Sequence, residues 1–526
     1  MRIIDAAAAA KLIADGSTVA SAGFVGAGHA EAVTAAIEAR FLSDARPRDL
    51  TLVYSAGQGD RAHRGVNHFG HEGLVRRVIG GHWRSAPKLS RLALDERVEA
   101  YNLPQGVITH LYRAIAGDKP GVITRIGLHT FVDPRHGGAR LNARATEELV
   151  ELVTLGGQEY LRYKPFPIDV ALVRGTTADA AGNITTEHEP FHHELLAIAQ
   201  AARNSGGIVI AQVKRMTAAH VDPQAVRLPG MLVDYVVVAG DDPATHSMTF
   251  GEWLNPTYTG EIRPLPAAAP LLPLDARLLV QRRAAMELAR HARQAARPLV
   301  VNLGVGMPAA VGRVAQQEGV GNFVLTVEAG PIGGTPADGL SFGASANPEA
   351  IVDEPAQFDF YDGGGIDLAF LGLAEADVHG NVNVSMFGQG AQRSIAGVGG
   401  FINITQSARS LVFMGTLTAG GLAIATGDGR LRIVHEGRAR KLVPVVEHLS
   451  FNGPYVAGLG RDILYVTERA VFRLLDDRLT LSEVTPGIDI ERDVLAQCTA
   501  PVAVADDVRI MDARIFQEGP MQLGAD

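Results

Sequence analysis

The sequence lacks the features that mark secreted, membrane-spanning and nucleic-acid-binding proteins. Its 526 residues include a single cysteine, Cys498, so no disulfide can form within the chain, which fits a reducing cytosol. Residues 1–16 do not have the charged-then-apolar layout of a signal peptide, and no apolar run is long enough to span a membrane. The net charge is −9 and there is no basic block, which argues against nucleic acid and anionic membranes as partners. We therefore expect a cytoplasmic protein.

Glycine is the residue present in excess. The 59 glycines fall in short clusters beside apolar runs, which is typical of the loops of α/β enzymes. Hydrophobic residues make up 47% of the chain and charged residues 20%, as in ordinary globular proteins. At this length a chain is expected to form two or more domains.

An internal repeat organises the chain. Residues 169–183, DVALVRGTTADAAGN, and residues 367–381, DLAFLGLAEADVHGN, are identical at six of 15 positions. Each segment is an apolar strand followed by a turn whose Asp, Gly and Asn suit left-handed or Asx geometry. Residues 50–60, LTLVYSAGQGD, likewise parallel residues 323–334, FVLTVEAGPIGG, with a strand that ends in Ala-Gly.

The repeat predicts two related domains. Residues 18–28, TVASAGFVGAG, parallel residues 299–309, LVVNLGVGMPA, and both pass from a strand into a glycine turn. Between the halves, residues 261–275 are rich in Pro and Ala and are predicted to form a semi-rigid linker. We therefore predict an α/β fold of two similar tandem domains with mainly parallel open sheets, residues 1–260 and 276–526.

Glu328 stands out because the repeat carries this acid only once. It follows the predicted buried strand FVLTV and precedes a run of Gly and Pro, and the matching position in the first half is Ser55. Ligands of open α/β sheets bind at the C-terminal ends of the strands. The asymmetry between the halves favours a chemical role, and a surface or capping carboxylate is the structural alternative.

A dinucleotide-binding interpretation is also open. Residues 304–309, GVGMPA, match G-x-G-x-x-A after the strand PLVVNL, and Glu328 lies 22 residues beyond Gly306, where a ribose-binding acid is expected. This pattern would suit an NAD-dependent oxidoreductase that uses the Gly304–Gly306 turn. Against it, Glu328 enters a glycine loop, whereas the expected acid is followed by an ordinary helix.

A family resemblance weighs against that alternative. Residues 326–344, TVEAGPIGGTPADGLSFGA, resemble the catalytic segment of class I coenzyme A transferases, in particular the propionate CoA-transferase group. Residues 19–33, 101–121, 397–408 and 415–422 are similar to further segments of that family. Because the similarity runs nearly from end to end, the sequence is identified as a member of this family, and the fold it implies agrees with the repeat.

The resemblance implies an enzyme that transfers coenzyme A between a short-chain acyl-CoA and a short-chain carboxylic acid of the propionate or acetate type. Glu328 occupies the position of the nucleophile. Its carboxylate would attack the thioester, and the CoA thiolate would then attack the glutamyl carbonyl and leave an enzyme–CoA thioester, in a ping-pong sequence. The steps are nearly isoenergetic and require no metal or redox cofactor, and coenzyme A is a substrate.

The resemblance also implies binding residues and an oligomer. Tetrahedral oxyanions need preorganised donors, which backbone N–H groups in glycine turns can supply. The implied CoA and oxyanion contacts are Gly304, Val305, Gly306, Met307, Gly397, Val398, Gly399 and Gly400; the implied acyl pocket contains Gly23, Phe24 and Val25, with Gln105 as a contact to the substrate carboxylate. A homo-oligomer such as a tetramer is expected. A non-catalytic acyl-CoA-binding protein is the third interpretation, which a dispensable Glu328 would favour.

Two histidine-rich stretches are not interpreted as metal sites. Residues 187–194, EHEPFHHE, contain His188, His192 and His193 but do not match H-E-x-x-H, because Leu195 and two more apolar residues follow Glu194. Residues 63–73 contain three more histidines. We expect the histidines of residues 63–73 to make polar loop contacts or to line a pocket, and we expect no bound metal in either stretch.

Overall fold

The chain divides by packing into two compact units, each made of three stretches. The structure is a computed structural model that describes residues 1–265 and 272–525. Unit 1 contains Met1–Arg263, Val327–Asp359 and Ser385–Asn403, and unit 2 contains Pro264–Thr326, Phe360–Val384 and Ile404–Asp526.

This division places Glu328 in unit 1. Of the predicted linker, residues 261–275, positions 266–271 lie outside the described residues. The domain boundaries at residues 260 and 276 stay a prediction. They were inferred from the sequence repeat, whereas the two units are defined by which residues pack together.

The main sheet of unit 1 is parallel. In the described residues eight strands form one row, and Ile184–Thr185 pairs antiparallel with one of them, Val170–Ala178. The row runs in the order Arg2–Ile4, Tyr235–Val238, Ile208–Met216, Val170–Ala178, Thr18–Ser21, Leu50–Tyr54, Val75–Gly80, Glu99–Asn102.

Helices and short antiparallel pairings complete unit 1. The helices are Ala6–Leu12, Glu31–Asp44, Pro87–Leu94, Gln105–Ala116, Leu195–Asn204 and Pro243–His246, and Glu354–Asp362 and Phe401–Ser407 begin in this unit. The short pairings are Val122–Thr124 and Val150–Leu155 with Gln158–Tyr163, Pro331–Ile332 with Ala350–Ile351, Thr335–Pro336 with Ser345–Ala346, and Met386–Phe387 with Ser394–Ile395.

The main sheet of unit 2 begins as a parallel sheet and ends as a mixed one. Its strands run in the order Phe323–Thr326, Leu299–Leu303, Leu368–Gly372, Ser410–Met414, Asp462–Val466, Ala470–Leu475, Arg478–Val484, Ala503–Ile510, and the first five are parallel. The helices are Ala276–Gln294, Val311–Gln317 and Gly453–Gly458. Smaller pairings join Glu375–Asp377 with Val382–Asn383 and Leu442–Val443, Thr418–Ala419 with Ala439–Arg440, and Ala423–Gly427 with Arg430–His435.

The two sheets share one strand order, which confirms the predicted fold of two similar, mainly parallel α/β halves. The repeated segments supply matching strands: Thr18–Ser21 and Leu50–Tyr54 in unit 1 stand where Leu299–Leu303 and Phe323–Thr326 stand in unit 2. Three further strands on the other side of the first member of each pair complete a matching set of five.

The Asp and Asn of the repeat make equivalent hydrogen bonds in the two units. In unit 1 the Asp179 Oδ1 atom accepts from the N–H groups of Ala181 and Asn183, both at 2.9 Å. The Asn183 Oδ1 atom accepts from the N–H group of Gly230 at 2.9 Å. The aspartate therefore closes the turn, and the asparagine ties that turn to a distant segment.

Unit 2 repeats this network with different neighbours. The Asp377 Oδ1 atom accepts from the N–H groups of His379 at 3.0 Å and Asn381 at 3.1 Å, and the Asn381 Oδ1 atom accepts from the N–H group of Gly453 at 3.0 Å. Asp377 is buried, and its carboxylate supplies the acceptor for these N–H groups of the turn. The identities in the repeat are thus explained by hydrogen bonding.

Each unit has its own hydrophobic core. In unit 1 the helices Ala6–Leu12, Glu31–Asp44 and Pro87–Leu94 pack on one face of the main sheet. In unit 2 the helices Ala276–Gln294 and Val311–Gln317 pack on the parallel strands. Because parallel sheets are covered on both faces, their strands are buried along their length, and Val170–Ala178 is buried at every position.

The described helices do not include a membrane span. The longest, Ala276–Gln294, has 19 residues and carries arginines along its length. Within residues 1–265 and 272–525, no helix combines the length and apolar character needed to cross a bilayer.

We predict that Asp377→Ala lowers the free energy of unfolding by about 1–3 kcal/mol, because it leaves the turn N–H groups of His379 and Asn381 without their acceptor. The measurement is urea unfolding followed by circular dichroism. The control is Asp506→Ala, an exposed position in the strand Ala503–Ile510, which should change stability by no more than about 0.5 kcal/mol. Equal effects from the two substitutions would contradict the role of the Asp377 turn.

Candidate active site

Glu328 lies in a tight turn directly after a buried strand. The Val327 N–H group donates to the Pro331 carbonyl at 3.0 Å, and the Gly330 N–H group donates to the Val327 carbonyl at 3.0 Å. Gly330 has φ +122°, and a Cβ there would lie 2.1 Å from the Val352 carbonyl oxygen, so the turn requires glycine. Within this turn the Glu328 side chain is half-buried.

Aromatic rings surround the residues next to Glu328. Phe24 contacts Phe191 edge-on at 5.8 Å between ring centroids and stacks on Phe342 at 5.9 Å. The three rings belong to one buried cluster that also contains Val327 and Ala329, the neighbours of Glu328 in the chain. The predicted acyl-pocket residue Phe24 is therefore brought into the same apolar cluster as the predicted nucleophile's turn.

Residues 23–25 form a turn that a buried glutamine holds in place. The Phe24 and Ala27 backbones exchange two hydrogen bonds of 2.9 Å, and Val25 adopts φ +50°. The Gln58 Nε2 atom donates to the Gly23 carbonyl at 3.0 Å. The sequence analysis did not single out Gln58. Its one local signal was a polar residue inside the glycine turn AGQGD.

Two buried acids lie near Glu328, and the sequence analysis assigned neither to the site. The Glu354 Oε1 atom accepts from Gln105 Nε2 at 2.8 Å, and the Glu194 Oε1 atom accepts from Ser55 Oγ at 2.6 Å. Both carboxyl groups are almost completely buried. Ser55 is the residue that matches Glu328 in the repeat, so both repeat positions contribute to this one region.

The buried acids have raised pKa values. Burial raises the pKa of Glu194 to about 7, against the opposing hydrogen bond from Ser55. Burial and the negative charge of Glu194 hold the pKa of Glu354 well above its usual range, Glu328 raises it further, and the hydrogen bond from Gln105 opposes the shift. The two groups therefore do not carry two full charges at neutral pH.

His193 is a strained, uncharged side chain beside the aromatic cluster. It has φ +54°, and its ring centroid lies 4.4 Å from that of Phe191. Among residues 1–265 and 272–525 neither ring nitrogen has a hydrogen-bond partner, and burial lowers the pKa of His193 to about 3. A Cβ at Gly28 would lie 1.9 Å from His193 Nε2, so the ring fills the space beside this glycine.

The loop 397–400 is bound to the segment that carries Gln105. The Gln105 N–H group donates to the Gly399 carbonyl at 2.9 Å, and the Gly399 N–H group donates to the Gly81 carbonyl at 2.7 Å. The Gly397 N–H group donates to the Ser385 carbonyl at 3.0 Å. Oxyanion binding by Gly397 and Gly399 stays a prediction that requires these N–H groups to be shared or released.

Val398 and Gly400 are the other two residues of the loop 397–400. The Val398 N–H group donates to Asn102 Oδ1 at 3.0 Å. Gly400 directly precedes the helix Phe401–Ser407. Their contact with coenzyme A also stays a prediction.

The other predicted CoA contacts, Gly304 to Met307, form a turn in unit 2. The turn follows the strand Leu299–Leu303, and the Gly304 N–H group donates to the Phe370 carbonyl at 2.8 Å. Val305 is exposed, and Gly306 has φ +88° with open space where a Cβ would be. The turn is accessible to a ligand, and its role stays a prediction.

Three histidines of the two histidine-rich stretches, His68, His71 and His192, have side-chain hydrogen bonds. His68 bridges Glu31, at 2.8 Å, and Glu38, and His71 contacts Glu38 as well. In the second stretch, His192 Nδ1 lies 2.9 Å from the hydroxyl oxygen of Thr186, which directly precedes the stretch. The contacts of His68 and His71 are polar, as expected for their stretch, and they are made with carboxylates of the helix Glu31–Asp44.

Within the described residues, one group of at least three His, Cys or acidic side chains is close enough to share a metal ion. It consists of Glu287, His291 and Asp462 in unit 2. Glu287 already pairs with Arg283 at 3.4 Å and with Arg290. Because these cations neutralise the central carboxylate, we assign no metal to the group.

Comparisons with known proteins agree on one family. Residues 3–239 match the family model described as Coenzyme A transferase. The chain is 46% identical to caffeate CoA-transferase of Acetobacterium woodii, over 98% of each chain, and 41% identical to acetate CoA-transferase YdiF of Escherichia coli O157:H7, over 99% of this chain and 96% of the relative.

A solved structure is similar over the same extent. The crystal structure of the YdiF acyl-CoA transferase of E. coli O157:H7 as a thioester complex with CoA has a TM-score of 0.90, with 39% identity over 99% of this chain and 97% of that one. The similarity to CoA transferases gives no support to the oxidoreductase interpretation of the Gly304 turn, which is not pursued further.

We predict that Gly397→Ala destabilises the protein more than Gly399→Ala. Both residues have positive φ, which costs an alanine about 1–2 kcal/mol. A Cβ at Gly397 would also lie 2.8 Å from His82 Cα, whereas the nearest atom to a Cβ at Gly399 is Gln105 Oε1 at 3.5 Å. The overlap should add about 1–3 kcal/mol for Gly397→Ala alone. Urea unfolding of both variants measures the difference, and equal losses would contradict the tight approach at Gly397.

Proposed function

The chain belongs to the coenzyme A transferase family and is a CoA-transferase, and from that premise we propose that it transfers coenzyme A between a short-chain acyl-CoA and a short-chain carboxylic acid. The acids are of acetate or propionate size. We assign the reacting carboxylate to Glu328 because its turn places it between two residues of the aromatic cluster, Val327 and Ala329.

The packing of the aromatic rings supports a small acyl group. Phe24, Phe191 and Phe342 are buried and contact one another, so they occupy volume in the cluster next to the Glu328 turn. One relative is named for acetate and another for caffeate, an aromatic acid. An aromatic acyl group is the second candidate, and it would require these rings to move apart.

The proposed chemistry uses the Glu328 carboxylate twice. First, a Glu328 oxygen attacks the thioester carbonyl, the C–S bond breaks, and coenzyme A leaves as a thiolate from an acyl-glutamyl anhydride. Next, the thiolate attacks the Glu328 carbonyl carbon, the anhydride C–O bond breaks, and the acid leaves as a carboxylate. A second acid then reverses these steps and leaves as the new acyl-CoA. Electron pairs move between sulfur and oxygen only, so the sequence needs no metal or redox cofactor.

Gln105 is proposed to contact a substrate oxygen while it holds Glu354. Its side-chain amide has two N–H bonds, and one of them donates to Glu354 Oε1 at 2.8 Å. The second can donate to a substrate carboxylate or to an oxyanion. The glycine turns that begin at Gly304 and Gly397 are proposed as the further backbone donors and CoA contacts.

We also propose a homo-oligomer such as a tetramer in the cytoplasm. The family resemblance supports the oligomer, and the single cysteine supports a reducing compartment. Size-exclusion chromatography with light scattering tests the oligomer, and a monomeric mass would refute it.

We predict that Glu328→Ala abolishes transfer and leaves the fold intact. Loss of the nucleophile removes the covalent route and should lower turnover by at least about 10⁴-fold. Glu328→Asp withdraws the carboxylate by one methylene and should lower turnover by about a hundredfold or more. Product formation from acyl-CoA and acid is measured by mass spectrometry, with thermal unfolding of each variant.

A matched control lies in the same segment. Glu349 is exposed, and Glu349→Ala should retain turnover. In the wild-type protein, incubation with acyl-CoA and no acceptor should add the mass of CoA to the peptide that contains Glu328. Substantial turnover by Glu328→Ala, or an adduct on another residue, would refute the assignment.

We predict that Phe24→Ala broadens the acyl specificity. Removing the ring opens space beside Phe191 and Phe342, so the ratio of kcat/KM for hexanoyl-CoA to that for acetyl-CoA should rise by about tenfold or more. Phe360→Ala, at an exposed ring in unit 2, is the control and should leave the ratio unchanged. An unchanged ratio in Phe24→Ala would place the acyl group elsewhere.

A further inference from the structure

Glu194 and Glu354 are buried carboxyl groups, and one oxygen of each lacks a donor among the other described residues. The Oε1 atoms accept from Ser55 Oγ and Gln105 Nε2, as described above. Neither Oε2 atom has a hydrogen-bond donor among the other described residues, and the two side chains lie within hydrogen-bonding reach of each other. Two ionised carboxylates are acceptors only, so a bond between them requires one proton.

We propose that Glu194 and Glu354 share one proton beside Glu328, and that they release it when Glu328 loses its negative charge in the covalent intermediate. The proposal rests on the proposed role of Glu328. Glu194 and Glu354 would be positioning residues that act through Glu328, and neither is assigned a contact with substrate.

A shared proton can balance the negative charge of the pair, because the described neighbouring groups do not supply a positive charge. The ring of His193, the residue that precedes Glu194, is neutral, because burial lowers its pKa to about 3. Burial, with the charges of Glu194 and Glu354, raises the pKa of Tyr112, so its hydroxyl stays protonated. In the described residues, none of the main groups that set the pKa values of the two acids is a cation. The groups next to the pair are Ser55 after the strand Leu50–Tyr54, Gln105 and Tyr112 on the helix Gln105–Ala116, Glu328 in its turn, and the backbone of His193, whose carbonyl accepts from the Glu354 N–H group at 3.1 Å.

The state of Glu328 is coupled to the proton affinity of the pair. An ionised Glu328 raises the pKa of Glu354 and so favours the protonated pair. In the glutamyl–CoA thioester Glu328 is neutral, this effect ends, and the affinity of the pair for its proton falls. The site then exchanges a charge on Glu328 for a charge on the pair, which keeps its total charge more nearly constant.

Proton release reports this exchange directly. Forming the thioester converts one carboxylate, Glu328, and releases another, the product acid, so the chemistry itself neither takes up nor releases a proton. Any proton that appears with the thioester must come from groups whose pKa changes.

The first experiment measures proton release while the wild-type protein forms the thioester. The protein is mixed with acetyl-CoA and no acceptor in weak buffer with a pH indicator, at several pH values between about 6 and 8, and the thioester is quantified by mass spectrometry. We expect release of up to about one proton for each thioester formed, largest near neutral pH. A thioester that forms with no release anywhere in this range would overturn the proposal.

Isosteric variants identify the source of the proton. Glu354→Gln keeps an oxygen for Gln105 and places an N–H donor where the shared proton would lie, so it should fold and form the thioester without releasing a proton. Glu194→Gln places the same N–H donor on the other member of the pair. It is the variant to measure if Glu354→Gln does not fold. Asp353→Asn is the control, because this neighbouring carboxylate is outside the pair, and it should retain the release. Release that persists in both glutamine variants would overturn the proposal.

A second measurement does not depend on turnover. Glu328→Gln removes the charge without chemistry, and infrared spectroscopy follows the carbonyl band of the protonated carboxyl during a pH titration. We expect the midpoint to fall by about one pH unit relative to the wild-type protein. If no thioester forms but the midpoint falls, the proposed function fails and the shared proton stands. If the midpoint does not move, the shared proton is refuted whether or not transfer occurs.

Discussion

The turn after the strand Phe323–Thr326 must present a carboxylate while keeping its own buried backbone groups paired, and the rest of the site depends on this constraint. The bonds from Val327 to Pro331 and from Gly330 to Val327 meet it. They demand glycine at position 330, where the Val352 carbonyl leaves no room for a Cβ. The geometry that makes Glu328 available is therefore built from its backbone neighbours.

The surroundings of Glu328 combine apolar packing with acids that are largely neutralised. The aromatic cluster around Phe24 supplies an apolar wall, and His193 beside it is uncharged because burial lowers its pKa. Burial also raises the pKa values of Glu194 and Glu354. Glu328, the proposed nucleophile, is thereby spared two further full negative charges in a medium of low polarity, which would favour a reaction with anionic substrates.

The same pattern of residues, present once in each half of the chain, serves two purposes. Asp179 and Asp377 close equivalent turns with equivalent hydrogen bonds, so architecture is preserved at these positions. Ser55 and Glu328 are equivalent in the repeat but differ in chemistry, since Ser55 donates to Glu194 and Glu328 is the proposed nucleophile. Both lie in unit 1. The packing of the chain thus gathers both copies of the strand-end position in one region.

The sequence by itself determined the features that depend on neighbours along the chain. A strand's periodicity and a turn's residue types are local properties, so the sequence could predict them. It therefore predicted the apolar strands, the glycine turns, the duplicated α/β fold and the position of Glu328 at a strand end. Only the tertiary structure revealed the buried acids and the engaged N–H groups of Gly397 and Gly399. Gln105 and Glu354 are 249 residues apart in the chain, and Ser55 and Glu194 are 139 apart. Burial, hydrogen-bond partners and pKa values at such distances arise from how the chain packs, and no local pattern of residue types records them.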